Sequence, residues 1–354
     1  MTKIMGAGPA GLCAAINIAK AGREVKIFEM RSDVGMRFHP NLQGLKDVGN
    51  PEDYMKELNI NPKTGFRYFS RAFFGTRKRD IELDIGKSMP FVVRGGKESL
   101  EYGLYREALD LGVEFEFNSR ITKDGVDIVA AGHGGTCDAA ALGMVFEDTD
   151  FPRDAFLIIF DDRYSPKGWY SYIVPISDDR VEFVNCVSQP HVPLLRKLTE
   201  KALQERKIVR GFLDGKKKVA TFGGVGNVSV PKTAFINNRY YVGEAAGFQD
   251  PFMGFGITYA LKSAKMAADA IVNGYDYDAM WKREIMPRMR KDFARRFPVS
   301  IFGDALPEMF MRKYRSGDRI DFQDVIPSSF PLYNVAEFVL FRLEVLKKRL
   351  TGFW

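Results

Sequence analysis

Residues 5–30 read MGAGPAGLCAAINIAKAGREVKIFEM, and no other stretch restricts the fold so tightly. Gly6, Gly8 and Gly11 stand at the spacing G-x-G-x-x-G. A short β-forming run at 2–5 precedes them, and the alanine-rich run that follows closes at Gly22, a common helix stop. Residues 24–30 then alternate and are β-rich. Strand, glycine turn, helix and strand in about thirty residues predict a right-handed parallel βαβ unit. Gly6 permits the tight turn, Gly8 lets a phosphate approach the backbone, and Gly11 lets the helix pack on the strand. The helix start at Pro9 and Ala10 offers free N–H groups and a positive dipole end. Glu29 closes the second strand with the acid that accepts hydrogen bonds from an adenosine ribose. These features predict a bound dinucleotide, with Met30 and Arg31 beside it. They do not separate FAD from NAD.

The rest of the chain supplies the remaining layers. Residues 97–112 read as an amphipathic helix closed by glycine, 113–117 as a strand, and 120–135 as two further strands ending in a glycine cluster. Within that cluster Ala131 and Gly132 are expected at the cofactor, and His133 is read as a loop residue near the pyrophosphate. From about residue 150 the texture changes. AFLIIF, WYSYIVPI and VEFVNCV are short strands between turn residues and predict an antiparallel sheet. Residues 239–274 return to strand, glycine-rich loop and alanine-rich helix. The expected fold class is therefore α/β, with a Rossmann-type parallel sheet, an antiparallel substrate-domain sheet and a helical C-terminal region. The expected boundaries are 1–75, 90–150 and 218–275 for a discontinuous nucleotide domain, 76–89 and 151–217 for the substrate sheet, and 276–354 for the helices.

A second glycine-rich stretch, YYVGEAAGFQDPFMGFGI, resembles the FAD motif G-D-A-A-x4-P-x2-G-x-G-I of two-domain flavoproteins. Gly243, Ala245, Ala246, Pro251, Gly254, Gly256 and Ile257 match it, and Glu244 stands in place of the motif's aspartate. With both motifs present the chain resembles flavoproteins of the p-hydroxybenzoate hydroxylase fold, and among them the geranylgeranyl reductase family. The resemblance covers the chain to about residue 300. It implies FAD as cofactor, with Glu244 at the ribityl chain, the Gly254–Gly256 segment at the flavin N1–C2=O edge, and Arg37, Arg94 and Ile121 as further contacts. The reductases carry Y-x-W-x-F-P in the substrate sheet. Tyr170, Tyr172 and Pro175 match it, with tyrosine for tryptophan and Val174 for phenylalanine, while ISDDR replaces the usual continuation. Tyr170, Tyr172, Pro251 and Phe252 are expected to line a pocket for an apolar or lipid substrate.

By the same resemblance, the expected activity is reduction of C=C bonds in an isoprenoid lipid by hydride from reduced flavin. The aspartate of the hydroxylases' A-D-G element is absent from AAGHGG (130–135), and no second G-x-G-x-x-G opens a separate NAD(P)H domain. The electron donor is expected to be external: ferredoxin, reduced flavin or NAD(P)H. A flavin monooxygenase or halogenase and a redox-neutral cyclase are the other readings, and no residue identifies itself as the proton donor.

Composition narrows the classes further. Among 354 residues, 45% are hydrophobic and 27% charged, as in a soluble globular protein. No apolar run approaches the about 18 residues a membrane span needs, so a cytoplasmic protein is expected. Cys13, Cys137 and Cys186, with His39, His133 and His191, are too scattered for a metal set. Of the formal charge of +7, ten cations against four acids between Trp281 and Arg315 leave a local excess of +6. No nucleic-acid module accompanies it. An anionic membrane surface or an acidic protein partner is expected there, beside the alternative of a solvated helix face. NVAEFVLFRLEVLKKRL reads as an amphipathic helix of basic end that packs on the domain or lies on a membrane.

Overall fold

A computed structural model describes residues 1–36, 39–135, 137–321 and 331–351. The chain opens with β1 (Thr2–Met5), α1 (Pro9–Lys20), β2 (Val25–Phe28), β3 (Asn41–Gly44) and α2 (Pro51–Glu57). There follow β4 (Phe66–Arg67), β5 (Arg71–Thr76), β6 (Asp80–Asp84), β7 (Phe91–Arg94), α3 (Leu100–Asp110), β8 (Glu114–Glu116) and β9 (Ile128–Val129). The middle holds β10 (Ala139–Glu147), β11 (Ala155–Phe160), β12 (Ser171–Pro175), β13 (Arg180–Ser188), α4 (Leu195–Glu205), α5 (Lys207–Leu213) and β14 (Lys217–Gly226). The last part is β15 (Phe235–Ile236), β16 (Arg239–Tyr241), α6 (Ile257–Asn273), α7 (Tyr277–Glu284), α8 (Met286–Phe302), α9 (Ala305–Met311) and α10 (Pro331–Thr351).

The nucleotide sheet has the order β15-β16-β9-β1-β2-β8 and is parallel except for the β15 edge. The order puts β1 in the middle, with Ile4 paired to Ile27 on one side and Ile128 on the other. Its glycine turn therefore emerges at the C-terminal ends of the strands, where open α/β sheets bind ligands. α1 is buried from Ala10 to Ile18 and packs beside α6. The alanines of both helices, Ala14 and Ala15 against Ala264, Ala267 and Ala268, keep the axes close and sit in one core cluster. Leu12, Ile16 and Ile18 are fully buried there, each contributing about 1.5–3 kcal/mol by area burial.

The second sheet runs β14-β10-β13-β12-β11-β5-β6. It is antiparallel except for the pair β5 and β11, a parallel contact that the sequence texture does not announce. Three of its strands, Arg71–Thr76, Ala139–Glu147 and Lys217–Gly226, lie wholly or mostly within segments expected in the nucleotide domain. The reason is non-local pairing, since β10 matches β13 residue for residue from Ala139↔Ser188 to Glu147↔Arg180. Of the two strands expected in 120–135, the structure keeps β9 and makes the other a single 3-10 turn at Lys123–Gly125. β3, β7 and β4 form a small sheet between the two layers. The helical region is not a separate lobe at its start: Trp281, Ile285, Met289 and Phe293 belong to the core cluster of α1 and α6. No helix among the described residues is long and apolar enough to cross a membrane.

Candidate functional site

At the first glycine turn each glycine does different work. Gly6 has φ +97°, and a Cβ on it would lie 2.6 Å from the Ala130 carbonyl oxygen. A Cβ on Gly11 would sit 1.9 Å from the Gly6 carbonyl oxygen. Gly8 differs, because a Cβ there meets nothing within 4 Å. Both Gly6 and Gly11 close the turn, while Gly8 leaves it open on the cavity side. α1 begins at Pro9 with no side-chain cap and no acid in its first turn, so its end amides and dipole face that opening. Across the turn, Glu29 Oε2 accepts from the Ala7 amide at 2.8 Å and Oε1 from the Arg31 amide at 3.0 Å. The carboxylate is thereby fixed at the rim.

The second glycine stretch arrives beside the first. Gly243–Ala246 is a 3-10 turn, and a Cβ on Gly243 would press on Ala260 and Ala10, so α6 and α1 meet at this point. Glu244 Oε1 accepts from the Asn227 amide at 3.0 Å. Gln249 Nε2 donates to the Gly254 carbonyl at 2.7 Å, and a Cβ on Gly256 would collide with that amide side chain. α6 then starts at Ile257, again without a side-chain cap or first-turn acid. Two bare helix N-termini thus open on one cavity of ≈ 1800 Å³. Drug-sized ligands need about 300–1,000 Å³, so the space holds a dinucleotide and a second molecule.

Most of the expected contacts line this cavity: Gly6, Gly8, Pro9, Ala10, Glu29, Met30, Arg31, Arg94, Ile121, Ala131, Gly132, Glu244, Gly254, Gly256 and Ile257. Gly11, Gly243 and Pro251 stand behind the wall, where they shape the turns rather than touch the space. Arg94 is buried, held by Glu101 and by Gln43 Oε1 at 2.7 Å. His133 also lines the cavity. Arg37 lies outside the described residues.

The NAD(P)-binding Rossmann-like domain family matches residues 4–76. Digeranylgeranylglycerophospholipid reductase 1 of Methanopyrus kandleri is 24% identical, over 88% of this chain and 91% of its own. An uncharacterized protein of Methanocaldococcus jannaschii is 26% identical, over 90% and 89%. Among solved structures, a geranylgeranyl bacteriochlorophyll reductase-like protein of Thermoplasma acidophilum superposes with a TM-score of 0.72 at 17% identity, over 95% of this chain and 98% of that one. A flavin-dependent brominase superposes at 0.67 and 17%, over 98% of each. The chain shares a Rossmann-like N-terminal segment with the NAD(P)-binding family and its overall fold with these two solved structures. The residues present fit FAD: an open Gly8, two uncapped helix ends and a fixed acid at the rim.

The cavity continues over the inner face of the large sheet. Alternate residues of three strands wall it: Phe156, Ile158 and Phe160, then Tyr170, Tyr172 and Val174, then Val184 and Cys186. Of these, sequence reading singled out the two tyrosines for the wall; the period-2 alternation shared by all three strands was the signal for the rest. Phe252 joins them. The Tyr170 hydroxyl donates to the Met253 carbonyl, tying the sheet to the second glycine loop. Burial pushes the Cys186 thiol up to about 12, so it is no thiolate at neutral pH.

Glu182 was not foreseen. It shares the inner face of β13 with Val184 and Cys186, opposite Val174, and is fully buried. Neither carboxylate oxygen has a hydrogen-bond partner. Burial raises its carboxyl well above the ordinary 4.5, against a small opposing influence of the Leu42 amide. The folded state therefore keeps a proton that the unfolded state releases, and stability falls as pH rises from about that ordinary value through neutrality. Glu182→Met is expected to raise stability at pH 8 by about 1–3 kcal/mol, with the gain shrinking toward pH 5. Denaturant melts across that range measure it; a destabilised variant at pH 8 would show that the carboxyl is satisfied in the fold.

Proposed function

We propose that the protein reduces C=C bonds of an isoprenoid lipid. The observation that carries this reading is the chamber beyond the cofactor cradle, walled by aromatic and aliphatic side chains. Such a lining suits a long apolar chain rather than a polar metabolite. The similarity to the digeranylgeranylglycerophospholipid reductase of Methanopyrus supports it. When bound, FAD supplies the hydride and is recharged by an external donor such as ferredoxin, reduced flavin or NAD(P)H.

The chain's own residues do the rest. The α1 amides and Glu29 hold the adenosine end, and the bare start of α6 offers positive potential to the redox-active end. Phe156, Phe160 and Tyr172 exclude water and align the substrate chain. The second hydrogen is a proton. Burial raises the Tyr170 and Tyr172 hydroxyls well above their ordinary values, and raises the Glu182 carboxyl likewise. Both tyrosines keep their protons at neutral pH on the chamber wall, and Glu182 is buried behind it.

The test is a single-turnover experiment. Protein reduced under argon is mixed with a geranylgeranyl lipid, and flavin absorbance is followed while the lipid is analysed by mass spectrometry. Flavin reoxidation with a mass gain of two hydrogens per reduced bond is the expected result. Reoxidation by oxygen alone, with no saturated lipid, overturns the proposal and favours the oxygen chemistry suggested by the brominase-like fold.

A further inference from the structure

Helix α10 has two apolar faces, and only one is used by the fold. On the inner side Phe341 meets Phe293 of α8 with ring centroids 5.8 Å apart, and Lys347 Nζ donates to Ser300 Oγ at 2.9 Å. Glu344 is fully buried on the same side. The helices run side by side in the same direction. The opposite face carries Val339, Leu343, Leu346 and Leu350 at spacings of four, three and four residues, all exposed, with Leu350 at 78%. Arg342 and Arg349 border this stripe on one flank. Neither of the helix's acids, Glu337 and Glu344, lies on it by helical spacing.

The stripe does not stand alone. At the end of α8, beyond the Ser300–Lys347 contact on the inner side, Ile301 and Phe302 are also exposed, at 52% and 62%. One turn earlier on α8, Pro298 and Val299 line the cavity, as do Leu306, Phe310, Arg312 and Lys313 around α9. Ala336, one turn before Val339, lines it too. A band of exposed apolar side chains thus covers the outer face of α10, and a second exposed apolar pair ends α8, in the stretch from Trp281 to Arg315 that carries a local excess of +6 and whose neighbours line the cavity.

We propose that this band seats the protein on an anionic lipid bilayer, with the cavity rim turned toward the acyl layer. A second copy of the chain fits the band less well. Pairing it about a twofold axis would set Arg342 and Arg349 against their own counterparts, with no acid on the face to answer them. An anionic surface answers the same cations, and their aliphatic stems extend the apolar band while the charges reach the headgroups. The proposal rests on the lipid-reductase reading only for the reason a bilayer is visited, because contact is measured without turnover.

The test is flotation of the full-length holoprotein with vesicles of phosphatidylcholine, alone or mixed with phosphatidylglycerol. Binding to the mixed vesicles, weakened by salt, is expected. Leu343→Ser/Leu346→Ser/Leu350→Ser is expected to lower the vesicle partition constant by at least about tenfold, with flavin content and melting temperature unchanged. Equal binding by this variant, or no binding to anionic vesicles, overturns the proposal. So does a wild-type dimer in sedimentation that the variant loses, since the stripe would then join copies. Turnover of a short, water-dispersed prenyl substrate without vesicles separates the two readings: its loss counts against the reductase and leaves the bilayer contact standing.

Discussion

Gly8→Val is expected to yield a folded protein that purifies without flavin. Gly8 has φ −82°, which any residue adopts, and a Cβ placed there meets no atom within 4 Å. The substitution costs the fold only the weaker helix cap of valine, about 1 kcal/mol or less. It fills the opening through which the pyrophosphate must reach the α1 amides. Losing two hydrogen bonds to a charged phosphate, each worth about 1.5–3 kcal/mol, lowers FAD affinity at least about 100-fold. Flavin absorbance of the purified variant and an FAD titration followed by fluorescence read this, while circular dichroism reports the fold. A yellow variant at full stoichiometry would place the pyrophosphate elsewhere. Gly11→Ala offers the contrast. Its Cβ would lie 1.9 Å from the Gly6 carbonyl oxygen, so the βαβ unit itself is expected to fail.

The second large effect is one of stability. Lys46, just after β3, is buried between Asp250 at 3.0 Å and Asp292 at 2.7 Å. Asp292 also accepts from Tyr259 Oη at 3.1 Å and from Arg295 at 3.0 Å. One ammonium thereby ties the small sheet, the second glycine loop and α8. Lys46→Met strands two buried carboxylates and is expected to cost about 3–5 kcal/mol at neutral pH. The loss depends on pH with a definite sign. Burial, helped by Asp292, raises the Asp250 carboxyl to about 6 even with Lys46 opposing it. Without Lys46 it rises further. The folded variant then binds a proton that the unfolded chain, at its ordinary 3.8, does not. Its deficit is therefore largest above pH 7 and shrinks as pH falls toward 5. Denaturant melts at several pH values measure this, and a deficit independent of pH would mean that Asp250 keeps its charge by another route.

The first glycine turn and its acid were legible from a short stretch alone. Three glycines, a helix start and an acid act within thirty residues, so their meaning is local: φ, close approach and a dipole are properties of a short stretch. The FAD stretch at 243–257 was legible for the same reason. Sheet membership and burial were set by long-range packing. Arg71–Thr76 and Ala139–Glu147 carry no local pattern that assigns them, and their sheet is chosen by partners far along the chain. Arg94 is expected at the cofactor, but its burial between Glu101 and Gln43 is set by the fold. Glu182 is one more acid in VEFVNCV until β12 and β3 remove water from it. Desolvation is a sum over neighbours brought together by the fold, and no spacing rule along one strand carries it. The two apolar faces of α10 divide the same way: their periodicity is in the sequence, but which of them meets Phe293 and which is left outside is set by packing.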